Sequence, residues 1–457
     1  MSAAPRSTDV VVAGGGMAGL VAAVSALEAG ASVVLVERAD APGGSFALSA
    51  GSLGAFDSFE SIRERIPAGD PELQRVLVQG VPAGGAWLEG LGARMGARRP
   101  LGFGRSSRAV HPPSTIALLS GLIESQGTLL TGRGLVGLER GGAGWLATVE
   151  GADSAEQRIA CRALVLATGG FQNHPGLVRE YLGLDPALLW ERNSGLSDGT
   201  GLRLGLACGA GLAGGLDTFY GHCLPAPPAR FTKHEIVQMT QYYGPWAVAL
   251  NLEGRRYSDE SSSPAEESLA QDTARQPGAR AFYAFDEAIY REHAGNVVSP
   301  EFAPGVPQPD KLQAAIDAGG PVCRADTLAG LADELAGWGV PAATALATLE
   351  EFNAAALEGR ADALPIPRRR FAQPLVQPPY YAIGVQPGLT FTMGGLRIDP
   401  AARVLRADGT PIPGLFAGGS DVGNVSNRYY AGGLPTALVF GRLAGQGAAH
   451  VAREPAP

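Results

Sequence analysis

The chain has 457 residues, enough for two domains with separate cores. Its 36 basic and 44 acidic residues leave a net charge of −8, and arginines gather only locally, as at Arg368-Arg369-Arg370, which argues against nucleic acid as a partner. Apolar residues make up 45% of the chain alongside 65 glycines and 34 prolines, which suits a glycine-rich nucleotide fold and not a disordered one.

The first element is an apolar β-branched run, Val10 to Val12, of the kind found in buried parallel strands. The turn Gly14-Gly15-Gly16-Met17-Ala18-Gly19 follows at once, then a helical stretch from Leu20 to Ala29 ending at Gly30, then a second apolar run, Val33 to Val36, closed by Glu37 and Arg38. This is a strand, glycine turn, helix and strand with an acid at the far end, the pattern of a Rossmann-like dinucleotide site. Gly14 permits the tight turn, Gly16 admits a pyrophosphate to the backbone, and Gly19 lets helix and strand pack closely. The helix N-terminus favours phosphate. Glu37 can accept from ribose hydroxyls and would repel a ribose phosphate. The four cysteines, Cys161, Cys208, Cys223 and Cys323, have no metal-ligand spacing, and Cys161 and Cys208 read as buried thiols. A short polar arm leads into the first strand with no signal peptide, and no apolar run is long enough to span a membrane; the expectation is a cytoplasmic protein.

Pro42-Gly43-Gly44-Ser45 and Leu48-Ser49-Ala50-Gly51-Ser52 continue from the acid. This run resembles the segment that passes along the FAD pyrophosphate and the flavin in the fumarate reductase and succinate dehydrogenase flavoprotein superfamily. The resemblance implies FAD and not a nicotinamide cofactor, with the backbone from Ser45 to Gly51 near the flavin and Gly44, Ser45, Ser49 and Gly51 as contacts.

Ser58 to Leu91 is mostly helical by its apolar spacing. Leu101 to Pro113 reads as a glycine- and proline-marked loop holding Arg105, Arg108 and His111; the resemblance brings such a loop toward the substrate cavity, and a solvated basic loop is the alternative. Ser114 to Ser125 reads as a helix, and Leu135 to Glu139 and Trp145 to Glu150 as strands of a small antiparallel sheet. Ala163 to Phe171 is a second nucleotide signature, an apolar strand ending in Thr168-Gly169-Gly170. Ser197 to Gly201 then opens a helix running through Cys208, with Asp198 as its cap; the resemblance also puts Asp198 near FAD.

From about Leu216 prolines, aromatics and charges rise and no βαβ pattern is seen until about Arg370. The expected organisation is α/β with an α+β cap: a Rossmann-like FAD-binding domain over 1–215 and 371–457, with an inserted capping, substrate-enclosing domain over 216–370. Within the insert, Val248 to Tyr257 reads as a hairpin turning at Glu253-Gly254, Ala281 to Phe285 as a strand, and Thr327 to Trp338 and Pro341 to Ala355 as helices. Pro379 to Val385 and Thr390 to Ile398 read as two strands. Gly414 to Asp421 is a third signature, a strand ending in Gly418-Gly419. The family's usual acid falls at Ser420, with Asp421 next to it, and either residue can face the ribitol or ribose. Ser426 to Pro435 opens a helix over Thr436 to Val451, whose first backbone N–H groups, around Gly433 and Leu434, would point at the flavin pyrimidine edge.

The superfamily resemblance, nearest to 3-ketosteroid dehydrogenases and 4-oxocyclohexanecarboxylate desaturases in site character, implies an FAD-dependent enzyme making or removing a C=C bond next to a carbonyl. Fumarate reductases use an arginine proton donor after a Gly-x-Arg-(Phe/Tyr) hairpin. Here that hairpin is Gly254-Arg255-Arg256-Tyr257, and the donor position falls near Pro264. The histidine that precedes their Thr-Met-Gly-Gly motif is replaced by Phe391. Tyrosines stand in their place: Tyr430-Ala431-Gly432-Gly433 is similar to the Tyr-x-Gly pattern of ketosteroid dehydrogenases, with Tyr429, Tyr220, His222 and Tyr242 as further catalytic candidates. Each tyrosine has aromatic packing as its alternative, and His222 a structural hydrogen bond. Arg428 matches a substrate-carboxylate arginine; its alternative is an ion pair with Asp421. The implied cofactor is non-covalent FAD, and the partners are a small-molecule substrate and O₂ or a diffusible electron acceptor. No metal, nucleic acid or membrane is implied.

Overall fold

A computed structural model describes residues 6–142, 144–152, 154–263, 266–294 and 310–454. The chain divides into two compact units: Met1–Gly183, Asn193–Phe219 and Phe391–Pro457 form one, and Leu184–Arg192 and Tyr220–Thr390 the other.

The first unit is built on the apolar run at the N-terminus. Val10, Val11 and Val12 are fully buried in the strand Ser7–Ala13. That strand lies parallel between Val33–Val36, with Val10 opposite Val33, and Glu156–Leu166, with Val10 opposite Ala163. Pro411–Ala417 and Thr128–Leu130 extend the parallel set on either side. Side chains on both faces of such a sheet are covered, which is why its strands read as unbroken apolar runs. The helix Met17–Glu28 packs against the C-terminal helix Gly433–Arg453 through small residues. A Cβ at Gly441 would come 2.6 Å from the Ala18 oxygen and one at Gly445 would come 2.1 Å from the Ala22 oxygen, so these two glycines, four apart on one helix face, set the interhelical distance.

Three expectations in this unit are corrected. Leu101 to Pro113 is not a loop: Arg99–Gly102 and Arg105–Ala109 form a hairpin that pairs through its second arm with Ser52–Phe56. Its strands are rich in arginine and serine, so no apolar alternation marked them. The pair Arg133–Gly141 and Gly144–Gly151 is not a separate small sheet, because the second strand also pairs with Glu156–Leu166 and joins the main one. Cys208 is half-buried, not buried: Arg406 donates to its carbonyl, and it lies in the field of Arg140 and Arg406.

The second unit centres on a 13-residue strand, Tyr380–Thr392. Ala281–Asp286 and Val322–Ala325 run antiparallel to it, and Trp190–Glu191 runs parallel. The two strands expected around Pro379 and Thr390 are therefore one, and the chain bends only after Thr392. Pro387-Gly388 lies inside that strand, and Gly388 is needed for packing, since a Cβ there would come 2.4 Å from Leu224 Cδ1. Val248–Asn251 is a strand, but the return arm of its hairpin is a single bridge, Leu250 to Arg256, and its ladder partner is Ala281–Asp286. Helices Leu328–Ala336 and Ala342–Leu357 contribute Leu331, Leu335, Leu349 and Phe352 to a core with Leu250, Phe282, Phe285 and Ile383. Arg256 and Arg368 both reach the fully buried carboxylate of Glu260, at 2.5 and 2.7 Å. The hairpin arginine is thus part of a structural ion trio. Pro264 lies outside the described residues.

Candidate functional site

In the first unit the glycine turn has the geometry its residue types require. Gly14, at φ +104°, passes so close to the next strand that a Cβ would sit 2.2 Å from the Ala167 oxygen, and a Cβ at Gly19 would be 1.8 Å from the Gly14 oxygen. At Gly16 a Cβ would meet nothing within 4 Å, so the turn is open on that side. Gly16 is the helix N-cap without a side-chain acceptor, and the first turn through Met17 and Ala18 carries no acid, which leaves backbone N–H groups for an anion. Glu37 is oriented from both sides: Oε2 accepts the Gly15 N–H at 2.6 Å and Oε1 the Ala39 N–H at 2.7 Å. Arg38 donates to Asp198 Oδ2 and Thr200 Oγ1, both at 2.9 Å. Asp198 is not the N-cap of the following helix; Gly199 is, at φ 75°, while Asp198 Oδ1 still accepts the Thr200 N–H at 3.1 Å. Farther on, Ser45 Oγ accepts the Ser194 N–H at 3.2 Å, and Ser49 Oγ accepts that of Gly51 at 3.2 Å.

The second and third signatures meet at Asp421. This residue is buried, and Thr168 donates to it from its N–H at 2.5 Å and from its hydroxyl. Burial pushes its carboxyl up to about 7, against the pull of the Thr168 and Gly169 donors. A raised carboxyl contributes stability that is complete below its unfolded value near 3.8 and is lost as pH rises through about 7. Asp421→Asn should therefore gain on wild type across that window, by at most about 4 kcal/mol. Urea midpoints measured from pH 4 to 8 test this, and a constant wild-type-to-variant difference would contradict it. Ser420 instead lines a small, partly open cavity together with Gly419, Phe391, Gly433 and Thr436. Gly169 and Gly170 leave no room for side chains beside Ser197 and Thr392.

The C-terminal helix begins at Gly433 and not at Thr436, and its first N–H is already used: Gly433 N donates to the Tyr430 hydroxyl at 2.8 Å. Phe391 and Arg105 flank the same ring, with Phe391 at 6.1 Å and the Arg105 guanidinium at 5.3 Å from its centroid. Tyr429 is stacked under Arg65 at 4.1 Å. Arg428 is half-buried in left-handed backbone, φ 62°. Of Arg105, Arg108 and His111, Arg105 is the one seen beside this ring. Arg108 forms an ion pair with Glu89, and His111 accepts the Ser114 N–H at the start of a helix.

The second unit holds Tyr220, His222 and Tyr242. His222 Nε2 lies 2.8 Å from the Tyr220 hydroxyl and Nδ1 lies 3.1 Å from Glu266 Oε1. Glu266 is fully buried; it accepts the Cys223 N–H at 2.9 Å and the Tyr283 hydroxyl at 3.0 Å. Desolvation raises its carboxyl well above the usual range. Tyr242 stands edge-on to His222 and accepts from Arg192 at 3.3 Å. Its neighbour Tyr243 is a packing residue against Phe285. Glu266, Tyr283 and Arg192 were not among the residues the sequence singled out.

The FAD binding domain family matches residues 9–434. The chain belongs to that family. It is an FAD-dependent oxidoreductase, and the open turn at Gly16, the unblocked helix N-terminus and the oriented Glu37 suit that cofactor. It is 29% identical to the probable fumarate reductase Ifc3 of Shewanella frigidimarina (strain NCIMB 400), over 97% of this chain and 75% of that protein. It is 28% identical to the 4-oxocyclohexanecarboxylate 2-dehydrogenase of Sinomonas cyclohexanicum, over 97% of this chain and 93% of that one. The crystal structure of 3-ketosteroid delta1-dehydrogenase from Sterolibacterium denitrificans has the same fold, with a TM-score of 0.77 at 19% identity over 98% of this chain and 100% of that one. Among the described residues no helix is long and apolar enough to cross a membrane, and no three His, Cys, Asp or Glu side chains are grouped to hold a metal.

Proposed function

We propose that this oxidoreductase desaturates a cyclic ketone or cyclic oxo acid, of the 4-oxocyclohexanecarboxylate or 3-ketosteroid type, at the bond next to the carbonyl. The observation that carries the reading is the Tyr430 hydroxyl accepting the Gly433 N–H at the helix N-terminus. With that lone pair engaged, the hydroxyl acts toward its other partner as a donor, and the positive end of the helix strengthens it. Such a donor suits a ketone oxygen that gains enolate charge. Beside it stands Phe391, which offers a carboxylate nothing. FAD, held non-covalently, supplies the hydride acceptor. The substrate loses a hydride from its β-carbon and a proton from its α-carbon, for which the hydrogen-bonded pair Tyr220 and His222 is the candidate acceptor. O₂ or a diffusible acceptor takes the two electrons afterward.

The test is anaerobic. Oxidised enzyme is mixed with saturated cyclic ketones, oxo acids and steroids, and chemically reduced enzyme with fumarate. A saturated ketone or oxo acid should bleach the flavin, fumarate should reoxidise it slowly or not at all, and acid precipitation should release all the yellow colour. Rapid reoxidation by fumarate with no bleaching by any ketone would restore a dicarboxylate reading, in line with the fumarate reductase relative.

A further inference from the structure

The second unit buries an arginine and a lysine, the latter with its amine pulled down to about 7 by burial and by Arg192. Arg192 is 6% exposed and Lys311 fully buried, and among the described residues neither has a carboxylate within ion-pair distance. Burying a cation without a counter-ion is expensive, so what surrounds these two bears on their purpose. Arg192 follows the short strand Trp190–Glu191, its N–H donates to the Leu389 oxygen at 3.1 Å, and its stem lies over Gly388, where a Cβ would come 3.1 Å from the arginine Cβ. Its guanidinium meets only hydroxyls: Nη1 donates to Thr390 Oγ1 at 2.9 Å, Nη2 to Tyr242 Oη at 3.3 Å and to Thr240 Oγ1 at 3.2 Å. Lys311 donates to the Val237 and Gln238 carbonyls and stands 5.3 Å from the Tyr242 ring centroid.

The hydroxyls differ in what they do next. Thr240 passes its own proton to the Ile236 oxygen at 2.6 Å. Tyr242 and Thr390 are half-buried, and each accepts from Arg192, so each turns its O–H away from the guanidinium. Two O–H donors backed by a desolvated guanidinium, with the Lys311 amine 5.3 Å from the tyrosine ring centroid, make an anion seat. The negative groups that act on Tyr242 are Glu266 and Glu267, and the first is already bonded to His222, Cys223 and Tyr283.

We propose that Arg192, Tyr242 and Thr390 form a carboxylate-binding site that receives the acid end of a cyclic oxo acid, an inference that rests on the ketone-desaturase reading for the identity of the ligand but not for its chemistry. The superfamily resemblance pointed to Arg428 for this role. The discriminating probe is cyclohexanecarboxylate, with cyclohexanecarboxamide as the neutral comparison, titrated calorimetrically into oxidised holoenzyme. Neither compound has a ketone, so turnover is not required. Wild type should prefer the acid, and Tyr242→Phe and Thr390→Val, which remove one hydroxyl each, should weaken the acid about 10- to 100-fold and the amide little. Equal affinity for acid and amide, equal losses of both in the two variants, or an acid preference abolished by Arg428→Ala and kept in both hydroxyl variants would each overturn the site. If the acid preference behaves as expected while no ketone bleaches the flavin, the site stands and the desaturase reading falls.

Discussion

Tyr220→Phe is expected to slow flavin reduction by a saturated substrate about 10²- to 10⁴-fold while FAD stays bound. An unperturbed tyrosine titrates near 10, so a tyrosine that takes a proton at neutral pH must first lose its own. The second unit provides the route. The Tyr220 hydroxyl lies 2.8 Å from His222 Nε2, and Glu266 holds the opposite ring nitrogen at 3.1 Å. With Nδ1–H donating to Glu266, a tautomer assigned from this network, Nε2 is the acceptor and draws the tyrosine proton. The buried carboxyl of Glu266, raised by desolvation, is a better proton acceptor than an ordinary one and so favours onward transfer from the imidazolium. Glu266 also sits in left-handed backbone at φ 58°, a conformation that costs a non-glycine residue about 1–3 kcal/mol and survives only where its surroundings fix it. Here the Cys223 N–H, the Tyr283 hydroxyl and the His222 ring fix it. Phenylalanine at 220 keeps the edge-on ring contact with His222, so the loss isolates the hydroxyl. Glu266→Gln keeps polar atoms for those partners and removes the group that can take the proton, so the rate should fall. Stopped-flow reduction rates at wild-type level in Tyr220→Phe and His222→Gln would reduce the chain of hydrogen bonds to scaffolding.

The glycine-turn part of the molecule was legible because its signals are local. Val10 to Val12, the glycine turn and Glu37 lie within one strand-turn-helix-strand unit, and each residue type has a steric or electrostatic reason to be there. The paired carboxylate of the third signature was half legible: the sequence offered Ser420 and Asp421 together, and only the fold shows Asp421 turned inward onto Thr168 while Ser420 lines the cavity. What failed was read from composition where composition is uninformative. The hairpin from Arg99 to Ala109 presents mainly arginine and serine, and Tyr380–Thr392 carries Pro387-Gly388 in mid-strand. Glu266 was illegible for a different reason. It lies 44 residues beyond His222 in sequence, and no periodicity links the two. Arg192 and Lys311 come near the Tyr242 side chain in the same way, through the fold and not along the chain.

Tyr430→Phe should cost about 10²- to 10³-fold in the rate of flavin reduction by a ketone, the scale of losing one donor to a developing oxyanion, whereas Tyr429→Phe should cost little. Sequence treats the two tyrosines as a pair; the structure separates them. Tyr429 offers its ring face to Arg65 at 4.1 Å, a contact that phenylalanine preserves. Tyr430 offers its hydroxyl, which accepts the Gly433 N–H at 2.8 Å at the start of a 21-residue helix. Removing that oxygen has two effects. The ketone loses a donor strengthened by the helix, and the Gly433 N–H loses its acceptor and turns to whatever oxygen is nearby. If the Gly433 N–H can replace the lost donor, the cost falls to the lower end of the range. A Tyr430→Phe rate at wild-type level with FAD still bound, matched by an equally silent double variant, would show that the hydroxyl does no more than cap the helix.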